Sequence, residues 1–196
     1  MPFPQRAVAF APGSIGNLGP GLDILGCAVE GAGDVVAAEF CDDHGITVLE
    51  PGHPTLPTDP EQHASAIAAM AVVRLATSAG VTTPARGIAL RVTKGLPLSA
   101  GQGGSAASAV AGAVAVNALV GNPLGRDQLL AAALVAESRV AGRHLDNIAP
   151  SLMGGVVLVR SLDPIDVLAI PVPASLRLVL ASPAQTLRTA EARAVL

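Results

Sequence analysis

The chain has 196 residues, 51% of them hydrophobic and only 14% charged, which supplies enough apolar side chain for a packed core and excludes a disordered, solvated polypeptide. Aromatic residues make up 2%, with no Trp or Tyr, so the core must be built from Ala, Val, Leu and Ile, and platforms for stacking bases are nearly absent. A net charge of −3 gives no electrostatic footprint for nucleic acid or an anionic membrane, and any anion site must be made locally.

Residues 6–10 read as a short first strand that stops at Ala11-Pro12-Gly13, where the chain meets residues that break regular pairing. The loop that follows, APGSIGNLGPGLD, has a backbone shaped by its glycines and prolines. Residues 27–40 and 46–50 read as further strands joined by the polar turn CDDHG. After the proline-rich connector PGHPTLPTDP, Asp59 is predicted to cap a helix running to about Ser78. Residues 87–93, GIALRVT, alternate like a half-buried strand. Helices are predicted over 105–120 and 127–141, separated by the break GNPLGRD. A second loop, GRHLDNIAPSLMGG, precedes an apolar strand at 156–160; PIDVLAIPVP reads as a linker, 177–181 as one more strand, and 189–195 as the start of a helix.

Cys27 and Cys41 are too few for a disulfide framework and lack zinc-ligand spacing, so both read as buried thiols. The amino terminus MPFPQRAVAF has no basic region followed by a long apolar run, and no stretch reaches the length of a membrane-spanning helix. The expectation is a cytoplasmic protein with neither a membrane nor a nucleic acid as partner.

The strand at 87–93 feeds directly into GLPLSAGQGGSAASAVAGAVAVN, residues 95–117. A glycine and serine loop running into an alanine-rich helix is local chemistry suited to phosphate. Gly101, Gly103 and Gly104 let main-chain N–H groups approach an anion, and the first turn after them presents free N–H groups to it. Ser105 and Ser108 add hydroxyls for phosphate oxygens or Mg²⁺. The chain's only lysine, Lys94, precedes the glycines, so the loop is not a Walker A motif.

Four ordered segments bring a family into view. APGSIGNLGPGLDILG resembles A-P-x-S-x-x-N-L-G-x-G-F-D-x-x-G, GLPLSAGQGGSAASA resembles P-x-x-x-G-L-G-S-S-A-A-S, HLDNIAPSLMGG resembles H-x-D-N-x-A-P-x-x-x-G-G, and TAEAR resembles T-x-x-A-R. These are motifs of the GHMP small-molecule kinases, and within them of the branch that phosphorylates L-homoserine. The resemblance implies an α+β fold, the GHMP kinase amino-terminal domain of ribosomal protein S5 domain 2-like type, over residues 1–168. It also implies that 169–196 are only the beginning of a second α+β domain, and that this length of chain alone has little kinase activity.

Further implications concern the site. ATP would lie over Pro97, Leu98, Ser99, Ala100, Gly101, Gln102, Gly103, Gly104, Ser105, Ala106 and Ala107, with Mg²⁺ held by Ser105 and Glu137. The substrate, a small hydroxylated amino acid, would meet Asn17, Asp23, His144, Asn147, Thr189 and Arg193. Asn17, Asn147 and Ser105 would take the catalytic roles, while Asp146 is read as a structural acid that fixes its loop. A second copy of the chain is a candidate partner. The alternatives are another GHMP kinase substrate, such as mevalonate, galactose or shikimate, and a nucleotide-binding module without catalysis. The sequence departs from the family pattern at Gln102 and Gly104 in the ATP loop, at His63 where an asparagine would meet adenine, and at Leu22 where Phe is usual.

Overall fold

A computed structural model describes residues 3–81, 86–173 and 175–181. Its elements in chain order are β1 (Arg6–Ile15), β2 (Leu25–Cys41), β3 (Ile46–Glu50), α1 (Ala64–Ser78), β4 (Gly87–Thr93), α2 (Gly104–Leu119), α3 (Arg126–Val140), α4 (Ile148–Met153), β5 (Val156–Leu162) and β6 (Ile165–Ile170). The expected α+β class is what the chain adopts. The strands form one sheet in the order β3-β4-β2-β5-β6, with β1 pairing β2 along its other side. All pairings are antiparallel except β3 with β4, whose parallel register requires a crossover that α1 supplies.

Strand periodicity separates the two faces of this sheet. Ala9, Val36 and Val92 lie opposite one another across β1, β2 and β4, as do Ala38 and Leu90 on the next row, and all five are buried. The other face carries Val8 and Phe10, which are more than half exposed, and the surface ion pairs of Arg91 with Glu39 and Glu50. Helix α2 packs on the buried face, α1 flanks it and reaches β3, and α3 packs chiefly on α1 and α2.

Helix α2 is the centre of the core. Nearly every residue from Ala106 to Leu119 is buried, so the helix is apolar all round, as a helix enclosed by its neighbours must be. Alanine and glycine allow close approach: a Cβ on Gly112 would stand 2.5 Å from the Ser65 carbonyl oxygen and 2.8 Å from the Ser65 Cα of α1.

Several local expectations are corrected. β1 does not stop at Ala11-Pro12-Gly13 but continues to Ile15, with a register shift between Pro12 and Ser14; a bulge absorbs the proline that would otherwise interrupt the ladder. Asp59 does not cap α1. Its Oδ1 accepts the Glu61 N–H at 2.9 Å, forming a turn of its own, and the helix begins at Ala64 with His63 at the cap position. The loop before β5 contains the short helix α4. The expected linker after Pro164 is β6, paired with β5 from Leu162–Ile165 to Val156–Ile170; the apolar run IDVLAI found an open strand edge, and partner availability outweighed the flanking prolines. Residues 177–181, expected as a strand, carry no regular structure, because no ladder partner adjoins them among the described residues and an unpaired strand leaves its N–H and C=O groups unsatisfied. The helix expected over 189–195 lies outside the described residues.

The Gly112 contact gives a stability test. Gly112→Ala places a methyl group against the α1 backbone and is expected to cost about 1–3 kcal/mol of unfolding free energy, the usual range for overpacking. Urea denaturation measures it, and an unchanged midpoint would show that α1 and α2 are not in such close contact.

Candidate active site

An open cleft of about 630 Å³ lies at the end of the sheet where β1, β4 and α2 meet. Its walls come from the β1–β2 loop, the connector before α1, the glycine loop, the first turn of α2, the end of α3 and the loop leading to α4.

The glycine loop forms the cleft floor. Gly101 and Gly103 have φ of +70° and +65°, a conformation that costs glycine little. Gly103 is also sterically required, since a Cβ there would lie 2.3 Å from Ser14 Oγ and 2.9 Å from Asn147 Oδ1. Helix α2 starts immediately afterwards with no capping side chain and no acidic residue in its first turn. Uncapped N–H groups and the positive end of the helix dipole therefore face the cleft, an arrangement suited to an anion. Of the segment expected to hold ATP, Pro97, Leu98, Ser99, Ala100, Gly101, Gly103, Gly104 and Ser105 line the cleft, whereas Gln102, Ala106 and Ala107 are not among its lining residues. Ala106 and Ala107 point into the core, and the Ala107 N–H is committed to the Gly103 carbonyl at 2.9 Å.

Ser105 and Glu137 come together as expected. The serine hydroxyl donates to Glu137 Oε2 at 3.1 Å, and Glu137 is buried at the cleft edge. A hydroxyl and a carboxylate oxygen beside an anion site suit a hard divalent cation. Among the described residues no group of three or more His, Cys, Asp or Glu side chains forms a metal cage.

At the opposite end of the cleft Asn17, His144, Asp146 and Asn147 are lining residues, whereas Asp23, also expected to meet the substrate, is not among them and adjoins the cleft through His144. Asn17 and Asp23 both take the left-handed conformation, with φ of 56° and 63°. Asn17 donates its N–H to Asp146 Oδ2 at 3.1 Å, and its Oδ1 accepts the Asp23 N–H at 2.8 Å. The Asp23 carboxylate lies 3.2 Å from His144 Nδ1, and the Asn147 Oδ1 accepts the Ser14 hydroxyl at 3.1 Å. Asn17, Asp23, His144, Asp146 and Asn147 thus form one connected cluster from two distant segments. Thr189 and Arg193 lie outside the described residues.

Burial raises the pKa of the Asp146 carboxyl above the ordinary aspartate value; the neighbouring Asp23 charge adds to this, while His144 and the hydrogen bond from Asn17 oppose it. His63 is pushed in the other direction, mainly by burial. Its Nε2 lies 3.2 Å from the Pro51 carbonyl, which can only accept, so that nitrogen carries the proton and Nδ1 accepts the Ser65 hydroxyl at 2.9 Å. Both ring nitrogens are used within the chain, and His63 fixes the connector before α1.

Several contributors were not read from the sequence as site residues. Ser14 orients Asn147, Thr55 and Leu56 of the connector form a wall, and Lys94, used only to exclude a Walker A loop, lines the cleft while paired with Asp34. A signal for the last pair existed. Asp34 ends the inward series Asp34, Val36, Ala38, and Lys94 ends the inward series Ile88, Leu90, Val92, so opposite charges fall on the core-facing side of neighbouring strands.

Residues 64–155 match the family described as GHMP kinases N terminal domain. The chain is 43% identical to a homoserine kinase of Arabidopsis thaliana over 95% of its own length and 51% of that protein. It is 34% identical to a homoserine kinase of Chloroherpeton thalassium, over 98% of the chain and 62% of the relative. A crystal structure of homoserine kinase from Cytophaga hutchinsonii superposes with a TM-score of 0.85 at 36% identity, covering 100% of this chain and 61% of that one. Residues 64–155 thus match a GHMP kinase N-terminal domain. The chain is similar to homoserine kinases along almost its whole length, while spanning 51% and 62% of the two relatives named.

The raised pKa of Asp146 sets a sign for pH dependence. The folded state keeps the proton to higher pH than the unfolded chain, so stability falls as pH rises from the ordinary carboxylate range through the folded value, and is level above it. Asp146→Asn retains an oxygen acceptor for the Asn17 N–H. It is expected to remove that decline, so that the variant gains stability relative to the parent between about pH 4 and neutrality. Urea unfolding across that range tests this; parallel pH curves for the two proteins would contradict it.

Proposed function

We propose that this chain is the ATP-binding part of a homoserine kinase, transferring the terminal phosphoryl group of ATP to the side-chain hydroxyl of L-homoserine to give O-phospho-L-homoserine. The observation that carries the reading is the shared cleft: an uncapped helix N-terminus under a glycine loop stands beside the cluster of Asn17, Asp23, His144 and Asn147. The place in metabolism is the route to threonine, and the compartment is the cytoplasm; no helix among the described residues is long and apolar enough to cross a membrane. The domain arrangement proposed is an ATP-binding domain that runs to the end of β6, since Ala169 and Ile170 still pair with β5, with the residues after it opening a second α+β domain.

Phosphoryl transfer asks a protein mainly to align reactants and stabilise negative charge. Main-chain N–H groups at positions 101 to 105 take the nucleotide phosphates. Ser105 and Glu137 hold Mg²⁺, which when bound neutralises charge on the phosphate oxygens; two protein oxygens completed by phosphate and water are the usual environment of that ion. Asp23 receives the substrate ammonium with His144 beside it, and Thr189 with Arg193 receive its carboxylate. Asn17 and Asn147 bond the remaining polar groups near the reacting hydroxyl. An amide does not accept a proton at neutral pH, and the buried Asp146 holds its loop through the Asn17 N–H, so the role proposed for Asp146 is structural and catalysis by this site is proposed to rest on positioning rather than on a general base.

An ADP-release assay with Mg²⁺ and ATP, run on this chain and on the complete reading frame that encodes it, tests the proposal. L-homoserine is expected to stimulate turnover by the latter, and mevalonate, shikimate and galactose to leave it at background. Binding of ATP without any homoserine-dependent turnover would instead identify a nucleotide-binding module. The metal assignment is checked by Glu137→Gln, which is expected to raise the Mg²⁺ concentration needed for half-maximal turnover at least about tenfold, since loss of even an outer partner of a metal site costs that much. An unchanged Mg²⁺ requirement would remove Glu137 from the metal site.

A further inference from the structure

We infer that the buried Asp34–Lys94 pair is the positioning device of the glycine loop, and that Lys94, although it lines the cleft, does not itself bind phosphate. The inference rests on the reading of that loop as the nucleotide phosphate site.

An ammonium group has three N–H donors. Those of Lys94 are met by Asp34 Oδ2, by the Gly104 carbonyl at 2.9 Å and by the Ser108 hydroxyl at 3.1 Å. Asp34 is equally committed. Its Oδ1 accepts the N–H groups of Gly95 at 3.1 Å and Leu96 at 3.3 Å, and its Oδ2 accepts the Ser108 hydroxyl at 2.6 Å as well as the lysine. The side chains of Lys94 and Asp34 are 8% and 0% exposed, and Ser108 is 3% exposed. The network is therefore closed: no ammonium donor remains for a ligand, and positive and negative charge cancel beneath the loop.

The same contacts tie down both ends of the loop. Gly95 and Leu96 hold its entrance, while Gly104 and Ser108 hold its exit on the first turns of α2. One ion pair thus sets the separation and tilt of the segment whose N–H groups face the cleft. A lysine acting directly on phosphate would need a donor pointing into the cleft; here the cation points at three acceptors of its own chain. Asp34 and Lys94 are accordingly positioning residues.

A double-mutant cycle of Lys94→Met, Asp34→Asn and the double variant separates the roles, read by calorimetric affinity for ATP and for inorganic tripolyphosphate, with thermal unfolding recorded in parallel. Methionine keeps most of the lysine's length without its charge. Lys94→Met strands a buried carboxylate and is expected to weaken binding about tenfold or more, whereas the double variant, with no unpaired charge left, is expected to recover to within about threefold of the parent. Equal losses in Lys94→Met and the double variant would make Lys94 a direct phosphate ligand and overturn the inference. Unchanged affinities with lowered unfolding temperatures would reduce the pair to a purely structural one, which also overturns it. Should Lys94→Met not fold, Ser108→Ala takes its place, read by hydrogen exchange without nucleotide. Faster exchange of the Gly95 and Leu96 N–H groups supports the network, and unchanged exchange contradicts it. A parent that binds neither ATP nor tripolyphosphate would instead defeat the nucleotide reading itself, and the inference with it.

Discussion

The enclosure of α2 is the constraint on which the rest of the structure depends. A helix buried along nearly its whole length has no freedom to rotate or slide without disturbing the sheet and every helix packed on it, because close-packed interiors transmit displacement. Its N-terminus is consequently delivered to one place, the end of the sheet, and held there by α1, α3 and the strands. The composition makes this enclosure feasible. Side chains no larger than alanine at Ala106, Ala107, Ala109 and Ala111, all essentially unexposed, let backbones pack at distances that larger residues would forbid. An anion-binding terminus is useful only when its direction is fixed, and here the core fixes it.

Much of this was legible in the sequence because the relevant signals are local. The inward alternation of GIALRVT, the glycine-rich loop and the alanine-rich run after it together predict strand, loop and helix with boundaries within a residue or so of those observed. What escaped depended on partners distant in sequence. β6 was hidden by its prolines because a strand's existence is decided by an available edge, here β5. The segment 177–181 has a strand-like pattern but pairs with no strand among the described residues. β1 runs past Pro12 because the bulge opposite β2 accommodates it. For the site, the residues of the β1–β2 loop and of the His144 to Asn147 segment could be named from their motifs, but the role of Ser14 could not. The motif marks the serine, but not that its hydroxyl bonds a residue 133 positions away.

The departures from the family's ATP loop take on a physical meaning in the structure. Gly104 loses a hydroxyl relative to the usual serine, yet the N–H that faces an anion belongs to the main chain and is unaffected by the change. A Cβ at that position would stand 3.4 Å from the Lys94 ammonium nitrogen, ordinary contact, so nothing in the packing demands glycine there. Gln102 contributes through its backbone: its carbonyl accepts the Ser14 N–H at 3.1 Å, a bond indifferent to the side chain it carries. At the connector His63 has turned its ring nitrogens to Pro51 and Ser65, and it lines the wall there together with Thr55, Leu56 and Gln62.

The two ends of the cleft are joined through the end of β1. Ser14 touches both, its N–H on Gln102 of the glycine loop and its hydroxyl on Asn147 of the polar cluster. Pro12, just before it, accepts the Ser151 hydroxyl of α4 at 2.8 Å. Asn17, just after it, is tied to Asp146. The register shift between Pro12 and Ser14 therefore sits where three loops converge, and a strand running on without it would turn these side chains to the opposite face, since one residue of slip reverses every side chain beyond it. Under the proposed function, placing a phosphate donor and a hydroxyl acceptor in line would require that their subsites share one rigid reference. The fold offers one in the bulged end of a single strand, tied to the glycine loop on one side and to the segment carrying Asp146 and Asn147 on the other.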